Sequence, residues 1–379
     1  SISIKETKQT NMNQLGLLYI GIAFVISWLV TFCAMPWLLK LCKRRGLYDI
    51  PDERKVHHGN NIPRLGGVAF VPSMLVGVAV SFVALCGGKP DAVTYFSMPT
   101  LMVLIGMFML YLIGILDDLF GMKAGVKFAI QFIVSMLLPC CGLYISNFHG
   151  VFGLYELPLW VGYAITVFIS LVIVNAVNLI DGIDGLASSL AFLAILCFGI
   201  LYFAHGVKLT SLYCAGLCGS VLAFMYYNLF GKESKSTKTF MGDTGSLTLG
   251  YALAFLAIRF VMYSPEECGI TFINTPCVPL LVPFTLLAVP CFDLVRVAFV
   301  RLFHGLPIFH PDKRHIHHKC LRAGFSMHTS LALIVGFQLF LIVATYALVV
   351  ANVSGWVYPI FDVALYLLFV LWLDKKEPK

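Results

Sequence analysis

Apolar segments of about twenty residues recur along the whole chain, and their length constrains the fold more than any other feature. Eleven are expected as membrane-spanning helices: 15–38, 66–86, 97–116, 126–146, 158–178, 186–204, 209–229, 245–263, 278–300, 329–350 and 355–373. Only 12% of the residues are charged, against about 25% in a soluble domain. The chain therefore reads as an all-α polytopic integral membrane protein, with 15–373 as one transmembrane domain. Residues 1–14 read as an outer tail or an appended remnant, Met12 being a candidate native start, and 374–379 as a cytoplasmic tail. No cleavable signal peptide is expected, because the first apolar run is long enough to span and lacks a small-residue cleavage site.

Positive charge orients the spans. The loops at 40–65, 117–127, 230–244 and 296–328, with the tail after 373, hold 21 Lys and Arg; the opposite face holds four, Lys5, Lys8, Lys89 and Lys208. That asymmetry predicts a cytoplasmic location for the first group, an N-terminus outside and a C-terminus inside. The net charge of +7 then reflects anionic lipid and an anionic substrate, not nucleic acid. The twelve cysteines show no zinc-type CxxC pairs, and most lie in apolar helices, where Cys acts as a small hydrophobe. Cys268 and Cys277 share one expected outer loop and are the one candidate disulfide.

Against this apolar background the polar clusters stand out. In NAVNLIDGIDGL, Asn175, Asn178, Asp181 and Asp184 recur every third residue, a spacing that gathers them on one side of a helix end. Gly182 and Gly185 loosen that helix or let backbone approach a ligand. A carboxylate beside lipid costs roughly 2.5–3.5 kcal/mol on insertion scales, so the cluster reads as a functional site, with a polar cap at the membrane boundary as the alternative. YLIGILDDLF ends the third span with Asp117 and Asp118. Adjacent carboxylates at a helix C-terminus repel each other and oppose the dipole, so they call for a cation or a proton-accepting role. FMGDTGS places Asp243 at the start of the eighth helix, with Thr244 and Ser246 as N-cap partners and flanking glycines that open backbone N–H groups to a phosphate. In PCFDLVRVAFVR, Asp293 and Arg296 are spaced to pair with each other. HPDKRHIHH interleaves histidines with Lys and Arg, which suits an anionic diphosphate better than a hard cation. The loop DIPDERKVHHGNNIPRLGG mixes acids, bases and two histidines before Pro63 and the tight backbone of Gly66–Gly67.

All these clusters fall on the predicted cytoplasmic side. Oxygen ligands beside anion-binding bases predict a Mg²⁺-dependent reaction at a phosphate, with Mn²⁺ as a substitute. LDD, NAVNLIDGIDGL, FMGDTGS and HPDKRHIHH, in this order, resemble the polyprenyl-phosphate N-acetylhexosamine-1-phosphate transferases. HPDKRHIHH and NNIPRLGG are nearer the WecA/TagO branch than the MraY branch. The resemblance implies transfer of GlcNAc-1-phosphate from UDP-GlcNAc to undecaprenyl phosphate in the bacterial inner membrane. UMP is released, and the product starts a cell-envelope polysaccharide such as O-antigen or teichoic acid. Another UDP-N-acetylhexosamine, or UDP-MurNAc-pentapeptide, is the alternative donor.

By the same resemblance Asp243, Asn178 and Asp117 form the metal set. Asp117 would also deprotonate or orient the lipid phosphate, with Asp118 beside it. Asp181, Asp184, Asn228 and Phe240 resemble the uridine pocket, Phe240 stacking on uracil, and both acids are also placed among the catalytic residues. Arg314, His315, His317 and His318 would meet the diphosphate and the sugar, with His315 in the catalytic set. His58 (or Lys55) and Arg64 complete the substrate-binding set. Membrane lipids are the remaining partners, and a homodimer is compatible with the chain. One-step in-line attack is preferred to a covalent aspartyl intermediate. The reading from another class is a transporter using intramembrane acids as an ion relay, which predicts acids near the bilayer midplane and internal repeats.

Overall fold

Proline and glycine set where the helices stop. The structure is a computed structural model that describes residues 2–48, 62–86, 97–263, 277–306, 313–351, 353–355 and 357–377. Its helices are, in order, α1 (Ile2–Arg45), α2 (Phe70–Cys86), α3 (Met98–Phe120), α4 (Ala124–Cys140), α5 (Leu159–Ile180), α6 (Leu186–Ala204), α7 (Lys208–Phe230) and α8 (Gly242–Val261). There follow α9 (Val278–Leu286), α10 (Ala288–Phe303), α11 (Ile316–Arg322), α12 (Met327–Val350) and α13 (Val357–Lys376). No strand occurs among the described residues; one isolated bridge joins Asn147 to Glu156. The chain is a multi-pass, all-α membrane protein.

Nine described helices are long and apolar enough to cross a membrane, or ten if one bent pair counts as a single span. Each of the eleven expected segments carries a helix, and the two that are not a single long span are α4 and the bent pair. The segment expected at 126–146 is α4, which ends at Cys140. Pro139 lies in its last turn, and Gly142 follows with a φ of +88°. The segment expected at 278–300 is the bent pair: α9 and α10 meet at 74°. Pro290 explains the break, since it lacks an N–H and its ring clashes with the carbonyl four residues back, that of Leu286. At the N-terminus α1 begins at Ile2, well before the expected boundary at 15.

α8 is the axis of the bundle. Almost every residue along it is buried, and α3, α5, α6 and α9 pack on it. Without a hydrophobic drive between helices in lipid, close approach depends on small residues. A methyl group at Gly250 would sit 2.7 Å from the Cα of Val174 on α5. Gly114 of α3 lies so close to the backbone of Thr244 that no side chain fits there. Outside this core the helices present exposed Phe108, Phe132, Phe168, Phe340 and Leu368, as lipid-facing surfaces do. Between α4 and α5 the Ser135 and Ser170 hydroxyls bond at 3.0 Å, and the Asn175 amide donates to Gln131 Oε1 at 2.8 Å. Asn175 is thereby turned toward α4 and away from the other polar residues of its motif.

Candidate active site

Four helix ends far apart in sequence meet at one end of the bundle. α3 brings Asp117 and Asp118, the first turn of α4 brings Lys127, the last turn of α5 brings Asn178, and the first turn of α8 brings Asp243.

Asp118 caps α8. Its Oδ1 accepts from the Asp243 N–H at 2.8 Å, and its Oδ2 accepts from the Thr244 N–H at 2.9 Å and the Thr244 hydroxyl at 2.6 Å. A carboxylate there satisfies two of the unpaired N–H groups of a helix start and favours the positive end of its dipole. The cap expected from within FMGDTGS is instead supplied by α3; the residue before α8, Met241, makes no side-chain cap.

The Asp243 carboxylate is thereby released for other contacts. Its Oδ1 meets Lys127 Nζ at 2.7 Å and also accepts from the Asn178 side-chain amide. Lys127 Nζ lies 3.0 Å from Asp117 Oδ2 as well, and Asp117 Oδ1 accepts from the Met122 N–H at 2.6 Å. Asp117, Asn178 and Asp243 thus stand together around one ammonium group. The sequence reading missed Lys127; its one signal was a lysine at the head of the helix that follows LDD. Among the described residues no group of three or more His, Cys, Asp or Glu is arranged to cage a metal.

The NLIDGIDG stretch does not stay helical. α5 ends at Ile180, and Asp181 to Gly185 form a turn, so Asp181 and Asp184 lie beyond the helix end rather than on its face. Asp181 is half-buried at that end. Asp184 Oδ2 pairs with Lys238 Nζ at 2.6 Å, a second lysine the motifs did not mark. Asn228 is a buried strut: its Oδ1 accepts from the Gly185 N–H at 2.6 Å and its Nδ2 donates to the Thr239 carbonyl at 2.8 Å.

The IPRLGG and TFMGD segments pair through their main chains. The Phe240 N–H donates to the Pro63 carbonyl at 2.8 Å, the Gly66 N–H to Phe240 O at 3.0 Å and the Gly67 N–H to Met241 O at 2.9 Å. A side chain at Gly67 would collide with the Gly245 backbone. The contact holds Arg64, half-buried, against the start of α8: its carbonyl faces Gly242 so closely that a side chain there would collide with it. It also leaves the Phe240 ring only 7% exposed. His58 and Lys55 lie outside the described residues, as does Cys268 and with it the candidate disulfide.

Asp293 organises the histidine loop. It is 1% exposed. Its Oδ2 bonds His315 Nδ1 at 2.7 Å, while its Oδ1 accepts from Arg296 at 2.7 Å, the Tyr366 hydroxyl at 2.9 Å and the Ile316 N–H at 3.0 Å. Arg296 also donates to the carbonyl of Arg314, itself half-buried, at 2.6 Å. The expected Asp293–Arg296 pair is present, and it anchors His315 in addition. A carboxylate on one ring nitrogen fixes the tautomer and leaves Nε2 for another partner.

His315 and His317 stack with ring planes 3° apart, and His317 packs on His318 at 4.2 Å between centroids. His317 is buried, and its Nδ1 finds no hydrogen-bond partner among the described residues. Its Nε2 faces Gly182, where a methyl group would overlap the ring. This is the physical demand for glycine in the first DG of the motif. Gly182→Ala should push His317 aside and raise KM for the nucleotide donor about tenfold or more, read from initial rates; unchanged donor kinetics would break the link between turn and loop.

Burial, with His315 and the charges of Arg322 and Lys313 nearby, depresses the His318 pKa from 6.5 to about 4, and burial holds His317 well below its usual range. Both rings are therefore neutral at pH 7. The unfolded chain takes up these protons near pH 6.5 while the folded chain does not, so stability falls as the pH drops from 6.5 toward 4. Melting temperature measured across that interval should fall less steeply in His318→Gln; identical slopes would refute the assignment.

The comparisons with known proteins decide the family. The model of glycosyl transferase family 4 matches residues 100–261. A probable undecaprenyl-phosphate N-acetylglucosaminyl 1-phosphate transferase of Bacillus subtilis is 30% identical over 358 residues, covering 94% of this chain and 90% of its own length. The chain belongs to the polyprenyl-phosphate N-acetylhexosamine-1-phosphate transferase family. The undecaprenyl-phosphate alpha-N-acetylglucosaminyl 1-phosphate transferase of Escherichia coli K12 is 30% identical over 322 residues, covering 84% of this chain and 81% of its own. The protein of that name from Yersinia pestis is 30% identical over 320 residues, covering 84% and 79%. In this transferase the matched region runs from before Asp117 to beyond Asp243, so it holds the whole acid–amide–lysine cluster. The histidine loop and IPRLGG lie outside it.

Proposed function

We propose that this chain transfers GlcNAc-1-phosphate from UDP-GlcNAc to undecaprenyl phosphate, releasing UMP, at the cytoplasmic face of the bacterial inner membrane. The names of its relatives support the donor and the acceptor. The observation that carries the chemistry is the sharing of one Lys127 ammonium by Asp117 and Asp243, from two different helices, with Asn178 on the same Asp243 oxygen. Two carboxylates gathered at one point repel each other unless a cation or a shared proton neutralises them, and here Lys127 does so.

The donor set suits Mg²⁺. That ion takes hard oxygen ligands and is commonly held by one or two carboxylates, with substrate phosphates and water completing its shell. Asp117 and Asp243 would hold it, with Asn178, whose amide nitrogen donates to Asp243, completing the set. When bound it supplies charge neutralisation at the diphosphate. The protein's own groups do the rest. Asp117 orients the lipid phosphate, whose oxygen attacks the β-phosphorus of the UDP-sugar in line. The bond from that phosphorus to the bridging oxygen breaks, and the electron pair leaves with UMP. Lys127 and the His315–His318 loop face the charge that builds up on the phosphoryl oxygens, which is where phosphoryl transfer needs help most. Asp293 keeps His315 in the tautomer that presents Nε2 to the donor. Lys238 and Asp184, with Asn228 bracing the turn behind them, border the uridine side, where Phe240 meets uracil. On this reading the N-terminus lies outside and the C-terminus in the cytoplasm.

Purified protein with undecaprenyl phosphate, Mg²⁺ and a panel of UDP-sugars tests the proposal. UMP release is expected with UDP-GlcNAc ahead of UDP-GalNAc, and none with UDP-MurNAc-pentapeptide. Release with no donor in the panel, or release that persists in excess chelator, would overturn it.

A further inference from the structure

The break between α9 and α10 is held by residues with no place in the chemistry above. In a continuous helix the Val289 N–H would bond the Thr285 carbonyl four residues back. Here the side chain of Gln338 on α12 stands between them: its Oε1 accepts from the Val289 N–H at 3.0 Å, and its Nε2 donates to Thr285 O at 2.7 Å. Gln338 is 1% exposed. Broken backbone within a membrane survives only when its freed groups find new partners, and one amide serves both. The side chain of Thr285 is held too. Its hydroxyl donates at 2.6 Å to Asp362 of α13, which is fully buried and accepts from Thr345 of α12 at 2.7 Å through its other oxygen. A buried intramembrane carboxylate is costly and calls for a reason.

The reason lies one turn along. Tyr366, four residues after Asp362, donates to Asp293 on α10, and Asp293 holds His315 and the Ile316 N–H. α12 and α13 therefore grip the break at one point and the histidine anchor at the next. We propose that Gln338 and Asp362 are positioning residues: they fix the angle at which α10 leaves α9 and so aim Asp293, and through it His315, at the donor. The proposal rests on the reading of His315 as a donor-facing group. Of the two threonines that feed Asp362, Thr285 lies on α9 just before the break and Thr345 on α12, the helix that carries Gln338.

Coupling of this kind is demonstrated by non-additivity, not by spatial order. The test is a double-mutant cycle on the full-length protein, with UMP release measured against UDP-GlcNAc. Gln338→Leu should fold, as judged by its melting curve, and lose about tenfold in kcat, with KM for undecaprenyl phosphate within twofold of the parent. In a His315→Ala background the same substitution should cost less than twofold. Asp362→Leu should behave in the same way, and Asp362→Asn, which preserves shape and one acceptor, should recover most of the loss. An equal loss in both backgrounds would mean a general packing defect and would overturn the proposal, as would a folded Gln338→Leu with parental kcat. If Gln338→Leu does not fold, Gln338→Glu keeps the acceptor for Val289, loses the donor to Thr285 and enters the same cycle. The single His315→Ala variant is read first: unchanged donor kinetics there would refute the underlying site reading, independently of the cycle.

Discussion

Asp243→Ala is expected to lower UMP release by about a thousandfold or more, because phosphoryl transfer depends on charge neutralisation more than on covalent assistance. The Asp243 side chain holds Lys127 and Asn178 and faces Asp117 across the same ammonium. Removing it takes away one of the two carboxylates available to a divalent cation and leaves Lys127 tied to Asp117 alone. The fold should survive. The start of α8 is secured by Asp118 through the backbone N–H of residue 243, which alanine retains. The melting temperature should stay within a few degrees of the parent while turnover vanishes. Near-parental turnover would remove Asp243 from the reaction centre.

Asp118→Ala should do the reverse. It strips an acceptor from two backbone N–H groups and one hydroxyl at the head of α8, the most buried of the described spans. Each buried donor left unpaired costs about 1–3 kcal/mol. The folded fraction recovered from membranes should drop several-fold, and the melting temperature of what remains should fall by about 4–10 °C, taking roughly 1.3 °C per kcal/mol from an unfolding entropy that scales with chain length. Asp118→Asn keeps one acceptor oxygen and should fall between the two. A variant that melts like the parent but turns over nothing would give Asp118 a part in the reaction and deny it the capping role. Two carboxylates that meet at the head of α8, one from α3 and one from α8 itself, are thus separated by a stability measurement and a rate measurement.

The sequence exposed more of the site than of its scaffold. Helix length, charge asymmetry and the order of four polar motifs each leave a local trace, and Asp117, Asn178 and Asp243 from three of those motifs stand together at one end of the bundle. What escaped depends on contacts between distant segments. Lys127 and Lys238 look like ordinary boundary lysines until their carboxylates are in view. Asp293 looked like half of an intrahelical pair, because its bond to His315 spans 22 residues. Asn175 fits the three-residue rhythm of its motif yet turns to Gln131, since a rhythm of three drifts around a helix that repeats every 3.6 residues. The bend at Leu287 did leave a mark, in Pro290 and in Pro283 before it. Hydropathy averages over such marks and reads the two pieces as one span. Gln338 and Asp362 left none, because a lone amide or acid in an apolar helix does not say which neighbour it faces.

Three peptide hydrogen bonds stitch the seam between IPRLGG and TFMGD, and the Thr239 hydroxyl adds one to the Pro63 carbonyl. Its glycines are demanded by crowding, and Ile62 and Leu65 beside them are buried, Leu65 opening a 3-10 turn that runs to Ala69. Cutting either side chain back to alanine would open a cavity beside the head of the acid-bearing helix, at about 2–5 kcal/mol. The strip of chain that frames the acid-bearing helix is therefore one of the less replaceable parts of the molecule, and a change of sugar nucleotide is better sought elsewhere.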